Sequence, residues 1–179
     1  RKLSRRTFLK MAGGVGLAAT TGFPNMVRSA GPEDVLLGAI HPLSGPLAYD
    51  GGLLENGIKL AVEEINQAGG IKSLHGAKFR LISADSESKS EVGMSEAERL
   101  IRMGVVGIIG CYQSSVAFAT TQVAERAKTP HLIDVGQADE ITERGFKYTF
   151  RVYYKTSQSC KRVVSFIKYL EKTKEVNVK

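Results

Sequence analysis

Residues 105–110 read VVGIIG, apolar at every position that carries a side chain. A strand with two apolar faces must be covered on both sides, and parallel sheets flanked by helices are where such strands occur. The neighbouring segments fit that demand. Val35–His41 (VLLGAIH) is a second short apolar run, ending in the loop Pro42-Leu43-Ser44-Gly45-Pro46. Leu54, Ile58, Ala61, Val62 and Ile65 then recur at helical spacing, and Gly69-Gly70 closes that helix. Residues 77–84 read as a strand. Ser90 is placed to cap a helix carrying Val92, Met94, Ala97, Leu100 and Ile101. A helix over 116–127, a strand over 130–135 and a fifth strand or crossing segment over 148–154 follow. Val163, Val164, Phe166, Ile167 and Leu170 form a last amphipathic stripe. Strand and helix alternate with short connections, which predicts an α/β fold: an open, doubly wound, mostly parallel sheet with helices on both faces.

Charge separates the chain into parts. The 25 Lys and Arg against 18 Asp and Glu leave +7, but residues 1–30 hold Arg1, Lys2, Arg5, Arg6, Lys10 and Arg28 with no acidic residue. The remainder is close to neutral, which removes the case for a nucleic-acid partner. Within the first segment, Ser4-Arg5-Arg6-Thr7-Phe8-Leu9-Lys10 matches the twin-arginine export signal, with Arg5, Arg6, Phe8 and Leu9 as its specifying residues. The apolar stretch that follows is short and glycine-rich, as a signal is and a membrane span is not. We therefore expect residues 1–30 to be a signal peptide handled by the twin-arginine translocase. The mature protein is expected in the periplasm without a stable membrane anchor. No cysteine follows the apolar stretch, so no lipid anchor is expected either.

In open parallel sheets ligands bind beyond the carboxyl ends of the strands. Here those ends carry His41 and the loop after it, Asp85, the run Cys111-Tyr112-Gln113-Ser114-Ser115, and Asp134-Val135-Gly136-Gln137. The serine run lies between a strand and a helix start, where hydroxyls and free N–H groups suit a carboxylate. A plain helix-capping role for Ser114 or Ser115 is the commoner use of serine at such a place.

Two longer segments are distinctive. Residues 38–48 (GAIHPLSGPLA) and 57–71 (GIKLAVEEINQAGGI), with GIIG before the serine loop and ITERG leading to Thr149-Phe150-Arg151, closely resemble the branched-chain amino-acid type of periplasmic substrate-binding protein. The resemblance implies a two-lobed, type I binding protein that closes on a solute and delivers it to an ABC transporter permease. It implies residues 31–150 as lobe one and 151–179 as the interlobe crossing with the start of a second, truncated lobe. It places ligand contacts at Ser44, Tyr49 and Asp50 after the first strand, at Gln113, Ser114 and Ser115 after the third, and at Asp134, Val135, Gly136 and Gln137 after the fourth. Gln137 stands where leucine/isoleucine/valine-binding members carry a threonine, and Asp134 adds a carboxylate nearby. The implied solute is an amino acid or related small carboxylate, with no cofactor.

Other readings of the same residues have specific weaknesses. A hydrolase would use His41, His131 or Cys111 with a neighbouring acid, but there is no G-x-S-x-G elbow and His131 begins its strand. His41 reads as a pocket-rim or turn residue. A flavodoxin-like redox domain would need a phosphate loop where Pro42 and Pro46 stand. A ligand-sensing receptor ectodomain would share the two-lobed fold and differ in its partner. The three histidines are scattered without an H-x-x-x-H or C-x-x-C pair, so no metal site is expected. Cys111 and Cys160 are expected to be free thiols, the first at the cleft. The helix around Val163 has no visible sheet to cover, so the chain reads as the front part of a longer one.

Overall fold

The structure, a computed structural model, describes residues 33–173. Arg5, Arg6, Phe8 and Leu9 of the export signal lie outside the described residues. Five strands form one sheet: β1 (Val35–His41), β2 (Phe79–Asp85), β3 (Gly107–Gly110), β4 (His131–Ile133) and β5 (Thr149–Arg151). All the pairings are parallel and the spatial order is β2-β1-β3-β4-β5. The helices are α1 (Ala48–Gln67), α2 (Ser90–Arg102), α3 (Ser114–Ala127), α4 (Glu140–Glu143) and α5 (Thr156–Thr173), with a short 3-10 turn at Lys72–Leu74.

Strand order reverses between β1 and β3, because β2 lies on one side of β1 and all later strands on the other. The α1 crossover accordingly packs against β1 and β2, while α2 and α3 pack on each other. The main core lies beneath that helix pair: Ile40, Leu100, Ile108, Val116, Ala117, Ile133 and Ile141 are all at most 1% exposed. The sheet is covered less evenly than the sequence led us to expect. Ile108 of β3 is buried, yet Val106 and Phe150 are more than half exposed, and with Leu37, Ile109 and Leu132 they line an open apolar groove of about 350 Å³. The α5 helix buries none of its residues. Among the described residues, no helix is long and apolar enough to cross a membrane.

The distinctive sequence segments have local physical reasons. Asn66 at the end of α1 grips the start of β2 twice: its side-chain N–H donates to the Phe79 carbonyl and its Oδ1 accepts from the Phe79 N–H, both at 2.8 Å. Gly70, at φ +78°, donates its N–H to the Ile65 carbonyl at 2.9 Å to end the helix. A Cβ there would stand 2.5 Å from the Ala77 carbonyl oxygen, so only glycine fits. Near the other end of α1, a Cβ on Gly51 would run into the Pro42 carbonyl, which is how closely the helix seats on the loop after β1. Ser90 opens α2 as its first residue and makes no cap; Lys89 occupies the cap position without a side-chain bond.

Candidate ligand pocket

The carboxyl ends of β3 and β4 are tied together by one hydroxyl. Ser114 is the first residue of α3 and Gln113 holds the cap position, with no side-chain cap bond. Instead of capping the helix, Ser114 Oγ accepts the backbone N–H groups of Gln137 and Ala138, at 3.1 and 3.2 Å. A serine hydroxyl has two acceptor lone pairs and one hydrogen. Both acceptor sites are used within the protein, so what Ser114 has left to offer is its O–H. Beside it, the N–H groups that open α3 have no intrahelical partners, and the helix dipole favours an anion there. Tyr112, Ser114, Val135, Gln137 and Thr156 enclose an open pocket of about 350 Å³ at this point.

The wall formed by residues 137–139 is held from behind. Arg151 at the end of β5 donates to the carbonyls of Gln137 (2.9 Å) and Ala138 (2.6 Å), and the Thr156 N–H donates to the same Gln137 carbonyl at 3.0 Å. Asp139 Oδ1 accepts the Ser157 N–H at 3.1 Å at the start of α5. The Ser157 hydroxyl and N–H hold the Asp139 carboxyl below its usual value.

Of the residues expected from sequence, Ser114, Val135 and Gln137 line this pocket together. The others lie around the same edge of the sheet with different engagements. Gln113 reaches toward the Ser88 carbonyl at 3.4 Å, and Ser115 is exposed. Gly136 is buried, and a Cβ there would stand 3.2–3.3 Å from Ala117, Ile133 and Ile141, so this backbone packs closely behind the pocket. Ser44 is exposed in the loop after β1. Burial raises the Asp85 carboxyl, but bonds from the Ser44 hydroxyl and the Glu87, Leu43 and Ser44 N–H groups bring it below its usual value. Tyr49 (77% exposed) and Asp50 belong to the first turn of α1, not to the loop before it.

Two pocket residues were missed. Tyr112 belongs to the run named at the end of β3 but was not among the expected contacts, and its place beside Gln113 was its available signal. Thr156 comes from beyond β5, and no local pattern marks it.

His131 begins β4 as expected, whereas His41 differs from its expected placement. His41 is completely buried, with Nε2 2.7 Å from Asp134 Oδ2 and Nδ1 3.5 Å from Glu55 Oε2. Both ring nitrogens face carboxylates, so neither serves a serine or cysteine nucleophile. Burial pushes the pKa of His131 down to about 4, which keeps that buried ring neutral. Cys111, expected at the cleft, is 1% exposed, and burial pushes its thiol up to about 12. No group of three or more His, Cys, Asp or Glu positioned to hold a metal occurs among the described residues.

Comparison with known proteins gives a consistent outcome. A family model described as periplasmic binding protein matches residues 34–176, and one described as the twin-arginine translocation pathway signal sequence matches residues 2–22. The chain is 38% identical over 138 residues to Leu/Ile/Val-binding protein homolog 8 of Brucella abortus, covering 76% of this chain and 33% of that protein. Among solved structures it resembles the branched-chain amino acid transporter substrate binding protein LivJ of Streptococcus pneumoniae in complex with isoleucine. That match has TM-score 0.64 and 27% identity, over 69% of this chain and 34% of the other. It also resembles a solute binding protein of an ABC transporter from Rhodopseudomonas palustris in complex with 3,4-dihydroxy benzoic acid. There the TM-score is 0.61 and the identity 26%, over 68% and 32% of the two chains. The chain spans about a third of the length of these proteins.

Proposed function

The chain belongs to the periplasmic binding protein family and carries the twin-arginine signal that directs export to the periplasm; from that premise we propose that it is the solute-binding component of an ABC uptake transporter. The solute is a small carboxylate-bearing molecule, an amino acid by default. One observation carries this choice: the Ser114 oxygen is saturated by two backbone donors, so its hydrogen and the α3 N–H groups call for an acceptor. A carboxylate supplies two acceptor oxygens and the charge that a helix N-terminus favours. Val135, Gln137, Tyr112 and Thr156 then select the remainder of the solute, with Ser44, Tyr49 and Asp50 on the β1 side of the edge.

In this reading residues 31–150 form the first lobe, and the crossing to a second begins at 151. Arg151 and Thr156, both bonded to the Gln137 carbonyl, connect the pocket wall to that crossing. The protein holds its solute without chemistry and delivers it to a membrane permease. The test is calorimetric titration of the full chain against amino acids, small organic acids, their amides and aromatic acids. The tightest ligand should carry a carboxylate. Ser114→Ala should cost about 1.5–3 kcal/mol of its binding, roughly tenfold or more in affinity. Binding of neutral solutes only would refute the carboxylate assignment.

A further inference from the structure

A buried cluster of charge joins β1, α1, β2 and β4, and the pocket described above makes no use of it. His41 has no exposed surface and stands between Asp134 and Glu55. Glu55 is itself 2% exposed; one of its oxygens accepts from the Ser83 hydroxyl of β2 and lies 3.7 Å from Lys59 Nζ, one turn along α1. The remaining titratable neighbours are Asp85, paired with His41 in the β1–β2 register, the neutral His131 at the start of β4, and the Cys111 thiol after β3.

Two carboxylates flanking one imidazole leave little choice of protonation. A neutral ring has one N–H, so its other nitrogen would turn a lone pair toward a carboxylate; the imidazolium instead presents an N–H to each, hydrogen-bonded to Asp134 through Nε2 and at ion-pair distance, 3.5 Å, from Glu55 through Nδ1. Burial opposes that charge, but the bonds and charges of Asp134 and Glu55 outweigh burial and raise the His41 pKa to about 9. Burial likewise raises Glu55, and the bonds from His41 and Ser83 overcome it and hold that carboxyl below its usual value.

The cluster sits at the root of the ligand loop. Asp134 follows the last residue of β4 and precedes Val135, which lines the pocket. Beyond it the Gly136 N–H donates to the Cys111 carbonyl at 3.1 Å, and the Gln137 and Ala138 N–H groups donate to Ser114. The loop is pinned at its far end by Ser114 and at its near end by His41.

We propose that His41 is a positioning residue for the ligand site: as an imidazolium clamped between Glu55 and Asp134, it sets the path of the loop that presents Val135 and Gln137 to the solute. This rests on the solute-binding reading above. A raised histidine pKa contributes fully below its ordinary value of 6.5 and loses its contribution as pH rises through about 9. The loop should loosen over that window.

The test uses nitrogen-15-labelled full chain, wild type and Asp134→Asn. The Asn variant gives a network that neutral His41 can satisfy, since the introduced amide can donate to Nε2 while Nδ1–H donates to Glu55. In wild type, both His41 ring nitrogens should be protonated at neutral pH and titrate near 9, and the Gln137 and Ala138 amide resonances should shift with the same midpoint. In Asp134→Asn that midpoint should fall for ring and amides together. Isoleucine titrated into both proteins at matched pH should show wild type losing about tenfold more affinity across this window than the variant, the ligand's own titration cancelling in the comparison. Ring titration below pH 7, loop amides indifferent to it, or equal pH dependence in the two proteins would overturn the proposal. Should no solute of the panel bind wild type at neutral pH, the solute-binding reading fails, and the ring and amide titrations still decide the role of His41.

Discussion

Removing the Ser114 hydroxyl should weaken the ligand-free protein as well as its complex, and the two effects have different origins. Ser114→Ala leaves the N–H groups of Gln137 and Ala138 without the oxygen they share at 3.1 and 3.2 Å. Each ordinary hydrogen bond contributes a net of about 0.5–1.5 kcal/mol, so the pair implies a loss of about 1–3 kcal/mol. For a chain of this size that corresponds to roughly 2–4 °C in Tm per kcal/mol. Urea denaturation of wild type, Ser114→Ala and Ser115→Ala measures it directly; Ser115 is exposed and its variant should match wild type. Amide exchange then separates a bridge from a cap. In Ser114→Ala the Gln137 and Ala138 amides should exchange faster while the body of α3 keeps its protection. A variant within about 0.5 kcal/mol of wild type, or protection lost along α3 first, would refute the bridging role.

Three further outcomes are expected. Gly51→Ala pushes a methyl group into the Pro42 carbonyl and should cost about 1–3 kcal/mol or more in the same denaturation assay, although an alanine at an open helical site would stabilise. Iodoacetamide should modify one thiol of the native protein, the exposed Cys160, while Cys111, buried with its pKa pushed up to about 12, should react only after denaturation; mass spectrometry of the labelled peptides distinguishes them. A reporter fused to residues 1–30 should reach the periplasm, and Arg5→Lys with Arg6→Lys should stop it despite unchanged charge, as read by cell fractionation.

How far the sequence reached follows the range of its signals. Periodicity operates within one element, and there it was sufficient: the stripe of Leu54, Ile58, Ala61, Val62 and Ile65 does lie in α1, and residues 105–110 do contain a central strand. It could not say which face of that strand receives helices. Ile108 went under α2 and α3, while Ile109 and Leu132 line the groove of the opposite face. The site shows the same limit more sharply. Ser114 was legible as a position, since a serine at a strand-to-helix junction is a local feature; its partners are 23 and 24 residues away, so its bridging role was not. His41 and Asp134 are 93 residues apart, and no spacing rule relates them. Glu55 did leave a trace: it falls on the same helical face as Gly51, Leu54 and Ile58, and an acid on an apolar stripe implies a buried positive partner. Of the sequence's three histidines, His41 lies at the end of the strand on which α1 packs, and it is the one able to meet that acid. Reading Glu55 as a demand for charge turns His41 from a rim residue into a core imidazolium. The loop that begins at Asp134 is then seen as anchored at its root.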